Sequence, residues 1–366
     1  MPLSALPPVD DLQTTVLRIP TEAPESDGTA TWDATTMLVV EVRAGDETGL
    51  GYSYGSPAAA AVVHEHLASV VRDRPVDERP ATWLAMYGAL RNAGAPGIGA
   101  TAISAVDIAL WDLHARLLDR PLGDLLGRAR DAVPVYGSGG FTSMDDDELR
   151  DQVAGWAEAG MAAVKVKVGR RPDDDPRRVA LVRDAVGPDV RLMVDANGAL
   201  EVSGALALAE ALAGCGVRWF EEPVSSDHVH DLRLLRERVP PGMEVAAGEY
   251  GWSPWAYDAL IGEQAVDVLQ ADVTRCGGIT GFLQVAARAE QAHLPVSAHC
   301  APQASLAVAA AAPAVRDLEW FADHARLEPM VFDGAVLPSG SALPVPGDRP
   351  GHGLALRRPD IDRWRA

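Results

Sequence analysis

The chain has 366 residues, about two domains' worth, and 48% of them are hydrophobic, enough for a large core. Its 32 basic and 52 acidic residues give a net charge of −20, which disfavours nucleic acid and anionic membrane surfaces as partners and repels an anionic substrate at long range. Cys215, Cys276 and Cys300 are odd in number and lack zinc spacing, Met1 to Leu12 lacks a basic start and a long apolar run, and no apolar stretch is long enough to span a bilayer; the expectation is a reduced, cytoplasmic protein.

Residues 1–132 read as a separate α+β layer. Pro20 to Thr29 is expected to be a polar loop. Thr36 to Val42 is a strand, and Asp46 to Gly49 is a turn into Leu50-Gly51-Tyr52, so an antiparallel pair is predicted. Tyr52 to Gly55 is expected to be a second loop. Between Thr101 and Leu118, the apolar residues Ile103, Val106, Leu110, Leu113 and Leu117 recur at three and four residues, as on a helix.

From Val133 the pattern changes to short apolar runs. They are Val133 to Tyr136, Ala163 to Val168, Leu192 to Val194, Val217 to Phe220, Val245 to Gly248, Val268 to Ala271, Pro295 to Ala298, and Asp317-Leu318. Most end on a polar residue: Asp195, Glu221, Glu249, Asp272, His299, Glu319. Helical stretches separate them, as in Gly204 to Leu212. Repeated strand–helix–strand units with parallel strands predict a (β/α)8 barrel over 133–334. The proline-rich stretch 335–366 falls outside the period and is expected to be irregular.

Catalytic groups of such barrels gather at the carboxyl ends of the strands. Asp195, Glu221 and Glu249 are hard oxygen donors ending three consecutive strands. That suits Mg²⁺, which keeps waters or substrate oxygens in its shell. Any one of these acids could equally serve the next helix as a cap. In Lys165-Val166-Lys167 both lysines face the same side. Each disfavours the charged form of the other, so one is expected to be a usable base; the alternative is a salt-bridged pair on the rim. Asp272 beside His299 would fix the imidazole tautomer, although a lone histidine is more often structural.

These residues carry a resemblance. Lys165-Val166-Lys167, Val194 to Asn197, Glu221-Glu222-Pro223, Gly248-Glu249, Asp272 before Cys276-Gly277-Gly278, His299 and Glu319 resemble, in order, the mandelate racemase subgroup of the enolase superfamily. So do Ala105 to Leu113 and Leu125-Leu126-Gly127. The resemblance implies a capping domain whose loops close over the barrel mouth, completed by the C-terminal tail, and a homo-oligomer. It implies Mg²⁺ on Asp195, Glu221 and Glu249. It assigns Lys167 and His299, paired with Asp272, as acid/base groups on opposite faces of the substrate. Lys165 and a protonated Glu319 would hold the substrate carboxylate, Asn197 would touch the α-hydroxyl, and Glu222 would support the metal shell.

Tyr54 and Trp252 are further candidate substrate contacts, and Trp255 is expected to pack against the cap. His228, His230, Asp323 and His324 have no assigned role. A small-molecule carboxylate is the expected substrate. Three function classes fit: a lyase dehydrating an acid sugar, a racemase or epimerase using the same two bases, and a non-catalytic barrel. The first loop has no Lys or Arg between Thr21 and Thr31 but carries Glu22, Glu25 and Asp27, which favours a neutral polyol tail over a second carboxylate.

Overall fold

The computed structural model describes residues 6–366. Three antiparallel strands form the sheet of the cap: β1 (Asp11–Ser26), β2 (Thr31–Ala44) and β3 (Glu47–Tyr54). The stretch expected to be a first loop is therefore mostly strand. β1 runs to Ser26 with a register shift between Pro20 and Glu25. Only the tip turns, where Asp27 Oδ1 accepts from the backbone of Thr29 and of Ala30, both at 2.7 Å. Tyr52 and Tyr54, expected in a second loop, belong to β3.

The helix Ile98–Leu117 lies on this sheet. The contact requires glycine: a Cβ on Gly49 would sit 2.2 Å from the carbonyl oxygen of Ala109, and one on Gly51 2.1 Å from that of Ala105. The same helix docks the cap on the barrel. Asp107 accepts from the backbone N–H of Thr280 at 2.8 Å and from its hydroxyl at 2.7 Å. Ser104 Oγ accepts from Gly277 and Gly278, at 3.0 and 3.1 Å.

Eight parallel strands form the barrel: β4 (Ala132–Gly139), β5 (Ala163–Lys167), β6 (Arg191–Asp195), β7 (Val217–Glu221), β8 (Glu244–Ala247), β9 (Val268–Ala271), β10 (Val296–Ala298) and β11 (Val315–Phe321). Pairing of β11 with β4, Leu318 opposite Val135, closes it. Tyr136, Met193, Trp219, Ala246 and Val268 pack together as one buried cluster. The fold is the expected (β/α)8 barrel with an N-terminal cap.

The tail is less irregular than its prolines suggest. Ala342–Pro344 pairs antiparallel with Ala132 to Pro134. The chain then reaches the cap, where the backbone N–H of Ala366 donates to Val16 at 3.1 Å.

Candidate active site

Strand register sets the site. In the parallel ladder Lys167 lies opposite Asp195, and Asp195 opposite Glu221, so these ends are level. Left-handed residues then turn the chain sharply: Asn197 (φ 47°), Glu222 (φ 34°), Cys300 (φ 49°) and Ala301 (φ 42°). Such conformations cost of order 1–3 kcal/mol each outside glycine and cluster at functional sites.

Asp195, Glu221 and Glu249 are buried, and one ligand oxygen from each lies within 4.8 Å of the others. The donor chemistry fits a hard divalent cation. Three buried acceptors here take no hydrogen bond: Glu249 Oε2, Glu222 Oε1 and Asn197 Oδ1. A cation satisfies acceptors that lack donors. Electrostatics agree. Burial and the neighbouring Asp195 push the Glu221 carboxyl up to about 8, and burial with Glu249 and Asp195 pushes Glu222 well above the carboxylate range. Crowded acids of this kind relax when positive charge arrives.

Both lysines point inward as the alternation predicts, but their charge state differs from the expectation. Lys165 Nζ lies 2.5 Å from Glu221 and 2.9 Å from Glu319, and Lys167 pairs with Asp195. Burial disfavours the ammonium of Lys165, yet Glu221 and Glu319 outweigh it and hold the group well above its ordinary value; Asp195 does the same for Lys167. Mutual repulsion between the lysines is the smaller effect because each has its own carboxylate.

Glu319 also differs. Against burial, Lys165 and His299 hold its carboxyl well below the usual range, a pull opposite to the one a protonated acid would need. It accepts from Ser138 Oγ at 2.5 Å and from the backbone N–H of Cys300 at 3.2 Å.

His299 Nδ1 lies 2.8 Å from Asp272 Oδ2, and Asp272 Oδ1 accepts from the backbone and hydroxyl of Thr274, both at 2.7 Å. The carboxylate fixes Nδ1 as the protonated nitrogen and leaves Nε2 facing the cavity.

A cavity of about 320 Å³ unites these groups. Lys167, Asn197, Glu249, His299 and Glu319 line it, together with Asp27, Trp32, Thr35, Thr36, Asp323 and His324. Two expected contacts lie elsewhere. Tyr54 is buried against the helix Ala322–Val331: its ring stacks on His324 at 3.5 Å and its hydroxyl donates to Glu328 at 3.3 Å. Trp252 lines a neighbouring cleft with Asn197, Glu222 and Tyr250. Trp255 packs on Trp83 and Tyr87 of the cap, as expected. His228 and His230 line a separate surface hollow.

Sequence reasoning missed Arg275 and Cys300, which also line the cavity. Arg275 lies 3.1 Å from Glu249 and 3.4 Å from Asp272. Neither had a signal in the sequence, since an isolated Arg or Cys has no periodicity. His324 and Asp323 had only their place after the last strand; burial pushes His324 down to about 4, so its ring is neutral, and it accepts from the backbone N–H of Ala301 at 3.2 Å.

Comparison with known proteins agrees with this geometry. A mandelate racemase/muconate lactonizing enzyme-like protein from Rubrobacter xylanophilus superposes with a TM-score of 0.96 at 50% identity, covering 98% of this chain and 100% of that one. A racemase from Streptomyces coelicolor with bound magnesium has a TM-score of 0.92 at 29% identity, covering 98% and 100%. The 3,6-anhydro-alpha-L-galactonate cycloisomerase of Streptomyces coelicolor is 34% identical, covering 95% of this chain and 97% of its own. The arabinonate dehydratase of Saccharolobus solfataricus is 32% identical, covering 75% of each. The family model of the mandelate racemase/muconate lactonizing enzyme N-terminal domain matches residues 12–127, and that of the enolase C-terminal domain-like family matches residues 148–361. The chain belongs to the mandelate racemase/muconate lactonizing enzyme family of the enolase superfamily.

Proposed function

We propose that the protein is a Mg²⁺-dependent enzyme that removes the proton α to a carboxylate, and that its reaction is dehydration of an acid sugar, an aldonate, to a 2-keto-3-deoxy acid. The observation that carries this is the shared cavity: Lys167 and His299 line it from strands three places apart around the barrel, beside the acid triad. Asp195, Glu221 and Glu249 hold the metal. Bound there, Mg²⁺ supplies charge stabilisation for the oxyanion that develops as the α-proton leaves.

The remaining roles belong to side chains. With Asp195 engaged by the metal, its hold on the Lys167 ammonium would weaken; one of Lys167 and His299 then accepts the α-proton, and the other protonates the departing β-hydroxyl. The α C–H and β C–O bonds break, water leaves, and the enol tautomerises to the ketone. Asp272 orients His299. Lys165 and Glu319 adjoin the end of the cavity that takes the substrate carboxylate, and Asn197 contributes to the α-hydroxyl side.

The preference for a monoacid rests on the acids of the cavity. Asp27 and Asp323 line it, while Arg275 is tied to Glu249 and Asp272, and Lys167 to Asp195. Arg18 pairs with Asp33 at the surface. The alternative is racemisation or epimerisation of a 2-hydroxy acid, favoured by the same placement of two bases in one cavity. We propose that the protein acts in the cytoplasm as a homo-oligomer. Incubating it with Mg²⁺ and a panel of acid sugars tests the reaction: a 2-keto product identifies the lyase, and inversion without ketone identifies the racemase.

A further inference from the structure

Next to the oxygen triad lies a donor set of a different kind. Cys300 Sγ is 3.4 Å from His299 Nε2 and 3.4 Å from Glu319 Oε2. His299 Nε2 is 3.5 Å from Glu319 Oε2 and 3.2 Å from Glu249 Oε2. One nitrogen, one sulfur and one carboxylate oxygen, from His299, Cys300 and Glu319, thus converge within 4.8 Å of one another inside the barrel mouth, and all three side chains are buried.

These separations have a simple meaning. Metal–ligand bonds of about 2.0–2.3 Å in a tetrahedron place neighbouring donors about 3.3–3.8 Å apart. The three separations among His299 Nε2, Cys300 Sγ and Glu319 Oε2 all fall in that window. Nitrogen and thiolate donors are the set that binds Zn²⁺ in preference to Mg²⁺.

The surroundings complete a zinc-type arrangement. Asp272 holds Nδ1 of His299 at 2.8 Å, the carboxylate–histidine support that orients a metal-binding imidazole. Ser138 and Lys165 both engage Oε1 of Glu319, at 2.5 and 2.9 Å, and leave Oε2 turned to Cys300. Glu249 Oε2, a buried acceptor that takes no hydrogen bond, borders the site 3.2 Å from His299 Nε2. The left-handed backbone of Cys300, φ 49°, brings its sulfur beside the ring of the preceding residue.

We propose that His299, Cys300 and Glu319 form a second metal site selective for Zn²⁺ and similar thiophilic divalent cations, distinct from the oxygen triad. Binding there releases the thiol proton, and any proton carried on Nε2, to solvent and engages the Nε2 lone pair. Occupation of the site blocks His299 as an acid/base group, so Zn²⁺ is an inhibitor in the presence of Mg²⁺. That last consequence rests on the role proposed for His299; the site itself does not.

The test uses the full-length protein saturated with Mg²⁺. Titration with Co²⁺ is expected to give a near-ultraviolet thiolate-to-metal charge-transfer band that saturates at one equivalent per chain. Cys300→Ala and Cys300→Ser, each checked for an unchanged melting temperature, are expected to lose the band and to bind Zn²⁺ at least tenfold more weakly. X-ray absorption at the zinc edge of the unmodified protein is expected to show one sulfur at about 2.3 Å, a readout that needs no variant. A zinc shell of oxygen and nitrogen alone, or a cobalt band that survives in Cys300→Ala, would overturn the assignment.

Discussion

Asp272 Oδ2 lies 2.8 Å from Nδ1 of His299, reaching from the end of β9 to the end of β10. The contact decides which ring nitrogen faces the cavity, and with it whether His299 can exchange a proton with a bound substrate.

Replacing Asp272 by Asn removes the charge but keeps the size. The tautomer is then no longer enforced, and kcat is expected to fall at least about 100-fold with little change in KM, the pattern of a positioning residue. Steady-state kinetics check this; an Asp272→Asn protein with unchanged kcat would show that the pair is structural.

Glu221→Gln removes the central member of the acid triad. Loss of a mere supporting partner already weakens metal binding by about 10–100-fold, so loss of a direct ligand is expected to exceed that and abolish turnover. Calorimetric titration with Mg²⁺ measures it. Wild-type affinity in Glu221→Gln would remove Glu221 from the ligand set.

The two bases separate by isotope exchange. His299→Asn is expected to lose about 10²–10⁴-fold in turnover while Lys167 still exchanges the α-proton with solvent deuterium; Lys167→Ala gives the mirror result from the other face. If both single variants turn over as wild type does, the two-base scheme fails.

Glu25 gives a pH prediction away from the metal. Burial, aided by Asp323, raises its carboxyl to about 7, against the pull of the Trp32 indole N–H at 2.8 Å and of Arg326. The folded-state value lies above the ordinary carboxyl value of 4.5. The folded chain therefore binds more protons than the unfolded chain in between. Stability from this group is complete below about 4.5 and is lost as pH rises through about 7. With solvent screening the loss is on the order of 1 kcal/mol. Glu25→Gln is expected to flatten that part of the melting-temperature profile between pH 5 and 8; an identical profile in the variant would place the titration elsewhere.

Much of the barrel was legible because each strand is a short apolar run ending on a polar residue, and because Lys165 and Lys167 have no place in a strand unless they meet a site. The order of Asp195, Glu221 and Glu249 along three adjacent strands made their convergence readable before any coordinates. Other features depend on neighbours far away in the chain. Glu319 is pulled toward its charged form by Lys165, 2.9 Å away, a contact between residues far apart in the chain that no local pattern encodes. Tyr54 has the composition of a binding loop, but its position in β3 turns it toward His324 and Glu328. The polar stretch before Thr31 reads as a loop because prolines punctuate it, yet pairing with β2 resumes after the shift at Pro20 to Glu25 and carries it as strand.

The central claim is metal-dependent loss of the α-proton from a sugar monoacid. The most direct measurement is kcat/KM for aldonates and aldarates of matched stereochemistry with Mg²⁺, in deuterated solvent, following both 2-keto product and deuterium at the α- and β-carbons. The predicted result is a 2-keto-3-deoxy product from an aldonate, deuterium at C3, and a clear preference over the matched diacid. Turnover of the diacid in preference, or no exchange and no product from any acid in the panel, would contradict it.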